Sequence, residues 1–90
     1  MVGDKAVSSK ECYERALELD PTFEEAWENL GRVGGGAVDG EAYTKKACFE
    51  KALALAPWSR RLWNSLGSVG GGTVDGKAYS KKACLEKSSQ

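Results

Sequence analysis

The sequence predicts an all-α fold, an α-solenoid of antiparallel helical hairpins with five helices in the order B-A-B-A-B. Three observations predict it. A shift of 36 residues lays 21–54 on 57–90 with 19 of 34 positions identical, so one unit is repeated. Inside the unit, apolar residues recur at three- and four-residue spacing, the period of a helix with one buried face. Between those stretches Pro and Gly fall in register: Pro21 with Pro57, Gly34–Gly36 with Gly70–Gly72, and Asp39-Gly40 with Asp75-Gly76. Residues 1–90 then form a single domain, with a partial repeat over 1–21 and full repeats over 22–57 and 58–90, about two and a half in all.

The partial copy keeps Val2, Ala6, Lys10, Cys12, Glu14, Ala16, Leu17, Leu19 and Pro21, and supplies a B helix that stops at the proline. Helix A of the next repeat is predicted over Thr22–Val33, with Phe23, Ala26, Trp27, Leu30 and Val33 on its stripe. Thr22 and Glu25 have the spacing of a capping box, which gives that helix its start. The glycine triplet ends it. Helix B is predicted from near Asp39, read as an N-cap, with Ala42, Lys46, Phe49, Ala52, Leu53 and Ala56 on one face and Pro57 as its stop. The copy repeats this with Leu62, Trp63, Leu66 and Val69 over Ser59–Val69, Ser59 as cap and Trp58 stapled onto Trp63, then a last helix from near Asp75. Short connections make neighbouring helices antiparallel. No strand is expected.

The strings Ala26-Trp27-x-x-Leu30-Gly31 and Cys48-Phe49-Glu50-Lys51-Ala52-Leu53-Ala54-Leu55-Ala56-Pro57 resemble the tetratricopeptide repeat (TPR). Tyr13-Glu14-Arg15-Ala16-Leu17-Glu18-Leu19-Asp20-Pro21 is similar to that family's second helix. Two features depart from it. The period is 36 rather than 34, with the extra length in a Gly-rich interhelix loop, and Lys45 and Lys81 stand where the family has a small alanine. The loop followed by Ala42-Tyr43-x-Lys45-Lys46-Ala47 is also similar to the Sel-one-like repeats. The resemblance implies a non-catalytic protein-interaction scaffold whose A helices line a groove for a peptide or helix of a partner. Carried over, the groove positions are Glu25, Glu28, Asn29 and Arg32 on one A helix and Arg61, Asn64, Ser65 and Ser68 on the next. A clamp for a C-terminal carboxylate is disfavoured, because Glu28 stands where that clamp has lysine.

Composition narrows the alternatives. Thirteen basic and thirteen acidic residues cancel, which argues against nucleic acid or an anionic membrane as partner. No apolar run approaches the roughly 18 residues of a membrane span, and Met-Val-Gly-Asp-Lys lacks the apolar centre of a secretory signal. Three cysteines at 36-residue spacing, with no histidine and no Cys-x-x-Cys, read as buried small side chains in a reducing cytoplasm, with no metal or cofactor. Gly71–Lys77 has phosphate-loop spacing, but Ala78 replaces the metal-binding hydroxyl, so a flexible interhelix loop is the better reading. No catalytic residues are expected: Tyr43 and Tyr79, three residues before Lys46 and Lys82, mimic a Tyr–Lys pair without any cofactor fold. An alternative to the scaffold is a self-assembling unit, a stacked or helix-swapped homo-oligomer. The first B helix has no A partner and would expose Tyr13, Ala16, Leu17 and Leu19, whereas Ser88 and Ser89 soften the far end.

Overall fold

A computed structural model describes residues 9–89 and corrects the all-α expectation: two antiparallel β-hairpins lie among the five helices. The elements are α1 (Ser9–Leu19), α2 (Glu24–Arg32), β1 (Gly35–Val38), β2 (Glu41–Thr44), α3 (Lys45–Leu55), α4 (Arg60–Ser68), β3 (Gly71–Val74), β4 (Lys77–Ser80) and α5 (Lys81–Ser88). Each unit is thus helix A, hairpin, helix B. The Val2 and Ala6 matches lie outside the described residues.

Asp39 and Asp75 do not cap helices. Each opens a two-residue turn with positive φ, 52° and 79° at Asp39-Gly40 and 53° and 76° at Asp75-Gly76. Two successive positive φ values make a type I′ turn, whose twist matches that of paired strands, and Asp-Gly is among its preferred sequences. The turn sets the register: Val38 pairs with Glu41 and Gly35 with Thr44, and the second hairpin repeats this from Val74↔Lys77 to Gly71↔Ser80. Helix B therefore starts later than expected. The Thr44 hydroxyl accepts the Ala47 N–H (3.1 Å), and Ser80 does the same for Ala83. Lys45 and Lys81 become exposed first residues of helices, so they cause no packing conflict.

Glycine is needed for different reasons along one triplet. Gly35 has φ +94°, and a Cβ there would run into the Tyr43 carbonyl of the paired strand. Gly36 has ordinary φ but no room, since a Cβ would meet the Glu14 carboxylate.

The core runs the length of a molecule measuring 48 × 20 × 19 Å. Leu17, Ala26, Trp27, Leu30, Cys48, Phe49, Ala52, Leu53, Ala56, Leu62, Trp63, Leu66 and Cys84 are buried, joined by Val38 and Val74 from the hairpins. The B face of α3 over Phe49–Leu53 and the A stripes over Ala26–Leu30 and Leu62–Leu66 fall inside as expected. Other predicted stripe positions do not. Phe23 and Val33 flank α2 and are exposed, Ala42 lies exposed on β2, and Lys46 points to solvent. Helix A spans Glu24–Arg32 with Phe23 as N-cap and no side-chain cap. Thr22 instead donates its hydroxyl (2.6 Å) and N–H (3.1 Å) to Asp20, whose carboxyl is held below its usual range by those two bonds. Ser59 does cap α4, accepting the Leu62 N–H at 3.3 Å. Trp58 is 76% exposed, so it makes no staple.

Each unit is locked by the same clasp. The Trp27 indole N–H donates to the Pro21 carbonyl (2.8 Å), and Trp63 does so to Pro57 (2.8 Å). Tyr43 and Tyr79 from the hairpins meet these rings edge-on at centroid distances of 4.8 and 4.7 Å. Helices A and B approach closely because Gly31 faces Phe49: a Cβ on Gly31 would lie 2.6 Å from the ring.

Candidate functional site

The groove positions carried over from the resemblance separate into three groups. Glu28, Arg32 and Arg61 meet in one cluster. Ser65 and Ser68 turn their hydroxyls onto their own helix, donating to the Arg61 carbonyl (3.1 Å) and the Ser65 carbonyl (2.6 Å). Glu25 and Asn64 are exposed and Asn29 half-buried, outside the cluster.

In the cluster, Glu28 is the one buried charged residue among those described, its side chain 5% exposed. Arg61, one helix A further along, grips it with two nitrogens: Nε to Oε2 at 2.8 Å and Nη2 to Oε1 at 3.0 Å. Arg32, one turn on in α2, donates to Oε2 at 3.0 Å. A planar guanidinium against both carboxylate oxygens is the strong form of this pair. The two arginine side chains remain more than half exposed, at 53% and 63%. Two cations share one anion, so the cluster carries net positive charge with donors still facing water.

Local electrostatics oppose this arrangement. The N-terminus of a helix favours acids, as α2 has in Glu24 and Glu25, yet α4 opens with Arg60-Arg61. Glu28 offsets that cost for Arg61. A local rule broken where no core packing demands it marks a functional candidate.

Elsewhere the surface offers less chemistry. The phosphate-loop look-alike is the β3–β4 hairpin rather than a flexible loop, and its Thr73 N–H is already bound by the Glu50 carboxylate at 2.6 Å. The Tyr43 hydroxyl donates to Glu41 (3.3 Å), and burial with the neighbouring Glu41 charge raises its pKa. Lys51 and Lys87 lie over Tyr43 and Tyr79 at 5.8 and 5.7 Å, as cation–π partners rather than proton carriers. All three cysteines are free. Cys48 and Cys84 are buried as expected, but Cys12 is exposed, which corrects that part of the reading. Burial pushes the Cys48 thiol up to about 11 and raises Cys84 as well. Among the described residues no cluster of His, Cys, Asp and Glu has the makings of a metal site, and no helix is long and apolar enough to cross a membrane.

No family model matches the chain, and no curated protein or solved structure matches it either.

What sequence reasoning missed is the pairing of Glu28 with two arginines. The signal was present: Glu28 and Arg32 have the i,i+4 spacing of a helix pair. The link from Glu28 to Arg61 spans 33 residues and depends on how the two A helices stand.

Proposed function

We propose that the chain is a non-catalytic interaction module of tetratricopeptide-like repeats that binds an acidic peptide segment of a partner along the face where α2 and α4 meet. The supporting observation is the Arg32–Glu28–Arg61 cluster, in which a buried carboxylate holds two half-exposed guanidiniums in fixed positions. Holding them in place lowers the entropy that a flexible arginine loses on binding. A carboxylate of the partner would take the donors that Glu28 leaves facing solvent. Balanced overall charge keeps attraction local to this face, which disfavours nucleic acid as partner. Three unpaired cysteines fit a reducing, cytoplasmic setting.

The self-assembly alternative needs an apolar flank on the first B helix. Tyr13, Ala16 and Leu17 of α1 are instead packed against the core, Leu17 fully, and Leu19 alone of that set is left exposed.

The test is titration with a short Glu/Asp-rich peptide and with its Gln/Asn counterpart, followed by calorimetry and NMR shifts of α2 and α4. The acidic peptide should bind with an affinity that falls as salt rises, and Arg32→Glu with Arg61→Glu should abolish it. Charge reversal that leaves binding unchanged sinks the assignment.

A further inference from the structure

One bond recurs at the repeat spacing and is left unmade in its third copy. The Ala37 N–H of the first hairpin donates to Glu14 Oε2 on α1 (2.8 Å), and the Thr73 N–H of the second donates to Glu50 Oε2 on α3 (2.6 Å). Each B helix thereby latches the hairpin of the unit that follows it. Around the latch, Leu17 and Leu53 are fully buried, and Gly36 and Gly72 let the hairpin backbone come down onto the carboxylate and onto Leu30 or Leu66. The third B helix, α5, carries Glu86 at the equivalent place. Glu14 and Glu50 are half-buried, whereas Glu86 is exposed and lines, with Lys81, Lys82, Leu85 and Ser89, an open groove of about 530 Å³. The equivalent groove on α3 is filled by α4 and β3.

We infer that this α5 face is a docking surface for one further helix–hairpin unit of the same type, latched by Glu86 on a backbone N–H of its glycine hairpin. The chemistry of the occupant follows from the two occupied copies. It needs an amphipathic helix that carries Leu-Gly near its end, as α2 does at Leu30-Gly31 and α4 at Leu66-Gly67, so that the leucine packs over the hairpin glycine. It then needs a glycine at the place of Gly36 and Gly72, where a Cβ would collide with the carboxylate. A second copy of this chain has no such unit to offer, since both of its helix–hairpin units are already covered, one by α1 and one by α3. Ser88 and Ser89 replace the buried Ala52 and Leu53 and bond the Leu85 carbonyl of their own helix (2.7 and 2.9 Å), which lets the face stand in water while it is empty. The inference does not depend on the arginine cluster.

The experiment lengthens the full chain: a copy of residues 55–90 follows Gln90, so that a helix and hairpin follow α5 as α4 and its hairpin follow α3. The expected result is a single cooperative melt with Tm raised by about 5 °C or more, together with slowed amide exchange across Lys81–Ser88. Glu86→Ala should lower Tm by about 3–6 °C in the long chain, while leaving the 90-residue chain within about 1 °C of its starting value. Ser88→Ala with Ser89→Leu should raise the long chain further. The inference is overturned by two separate melting transitions, or by Glu86→Ala being equally silent in both chains. An appended unit that stays unfolded even in the Ser88→Ala, Ser89→Leu double variant overturns it too, as does concentration-dependent protection of α5 in the 90-residue chain, which would make a second copy the occupant.

Discussion

Glu28→Gln separates what this carboxylate does for the fold from what it does to a ligand. Glu28 accepts three charge-assisted bonds, two from Arg61 at 2.8 and 3.0 Å and one from Arg32 at 3.0 Å. Bonds to a charged partner are each worth about 1.5–3 kcal/mol when dry. These are not dry on the arginine side, where exposures of 53% and 63% let water replace the lost acceptor. Breaking a fully buried pair costs about 3–5 kcal/mol, an exposed one about 0–1. Glutamine keeps the shape and one acceptor oxygen, which places the net loss at about 1–2 kcal/mol. For a domain of this size that lowers Tm by about 4–15 °C, read by far-UV circular dichroism. Binding should move the other way. With Glu28 neutral, the cluster charge rises from one net positive charge to two; this gain outweighs the lost pre-organisation, because the glutamine oxygen still accepts from one arginine, and the acidic peptide should bind about tenfold more tightly at low salt, with a steeper salt dependence. An unchanged Tm would refute the bond network. A weaker affinity would refute the peptide site even if the Tm behaves as expected.

Four further outcomes follow from the geometry. Gly40→Ala meets open space at φ +79°, so its cost is the backbone alone, about 1–2 kcal/mol by denaturant unfolding; Gly35→Ala, with both φ +94° and the Tyr43 carbonyl in its way, should exceed about 3 kcal/mol and erase the NMR cross-strand contacts of β1–β2. Native thiol labelling at pH 8 should modify Cys12 and spare Cys48 and Cys84. Because Cys48 is raised from 9.0 to about 11 in the fold, its neutral form favours the folded state below pH 9, and the fold loses stability as pH climbs from 9 toward 11; a Tm series should show this loss, and Cys48→Ala should reduce it, with the raised Cys84 and Tyr43 leaving a smaller loss of the same sign. Trp63→Phe keeps most of the packing but leaves the Pro57 carbonyl without its indole donor, for a loss of about 1–2 kcal/mol, whereas Trp58→Ala at the exposed turn should stay within about 0.5 kcal/mol in the same unfolding assay.

The 36-residue period and the buried faces Ala26–Trp27–Leu30 and Phe49–Ala52–Leu53 were legible in the sequence. They rest on residues three or four apart that share one face of a helix wherever that helix packs. The Ser59 cap was legible for the same reason, since its partner Leu62 lies one turn away. The hairpins were not, because Asp-Gly serves equally as a helix cap and as a type I′ turn, and strands of four residues carry too little alternation to choose. The choice was made by bonds between residues up to nine apart, Gly35 to Thr44, and by a Glu14 carboxylate 23 residues from the N–H it holds. The candidate site followed the same division. Its eight positions were proposed from a resemblance, but only the tertiary fold brings Arg61 of α4 to Glu28 of α2, while Ser65 and Ser68 bond carbonyls of their own helix. Local spacing determined which faces are apolar, while the tertiary structure decided which polar atoms meet, because a hydrogen bond needs two groups within about 3 Å and chain order alone does not place distant groups that closely.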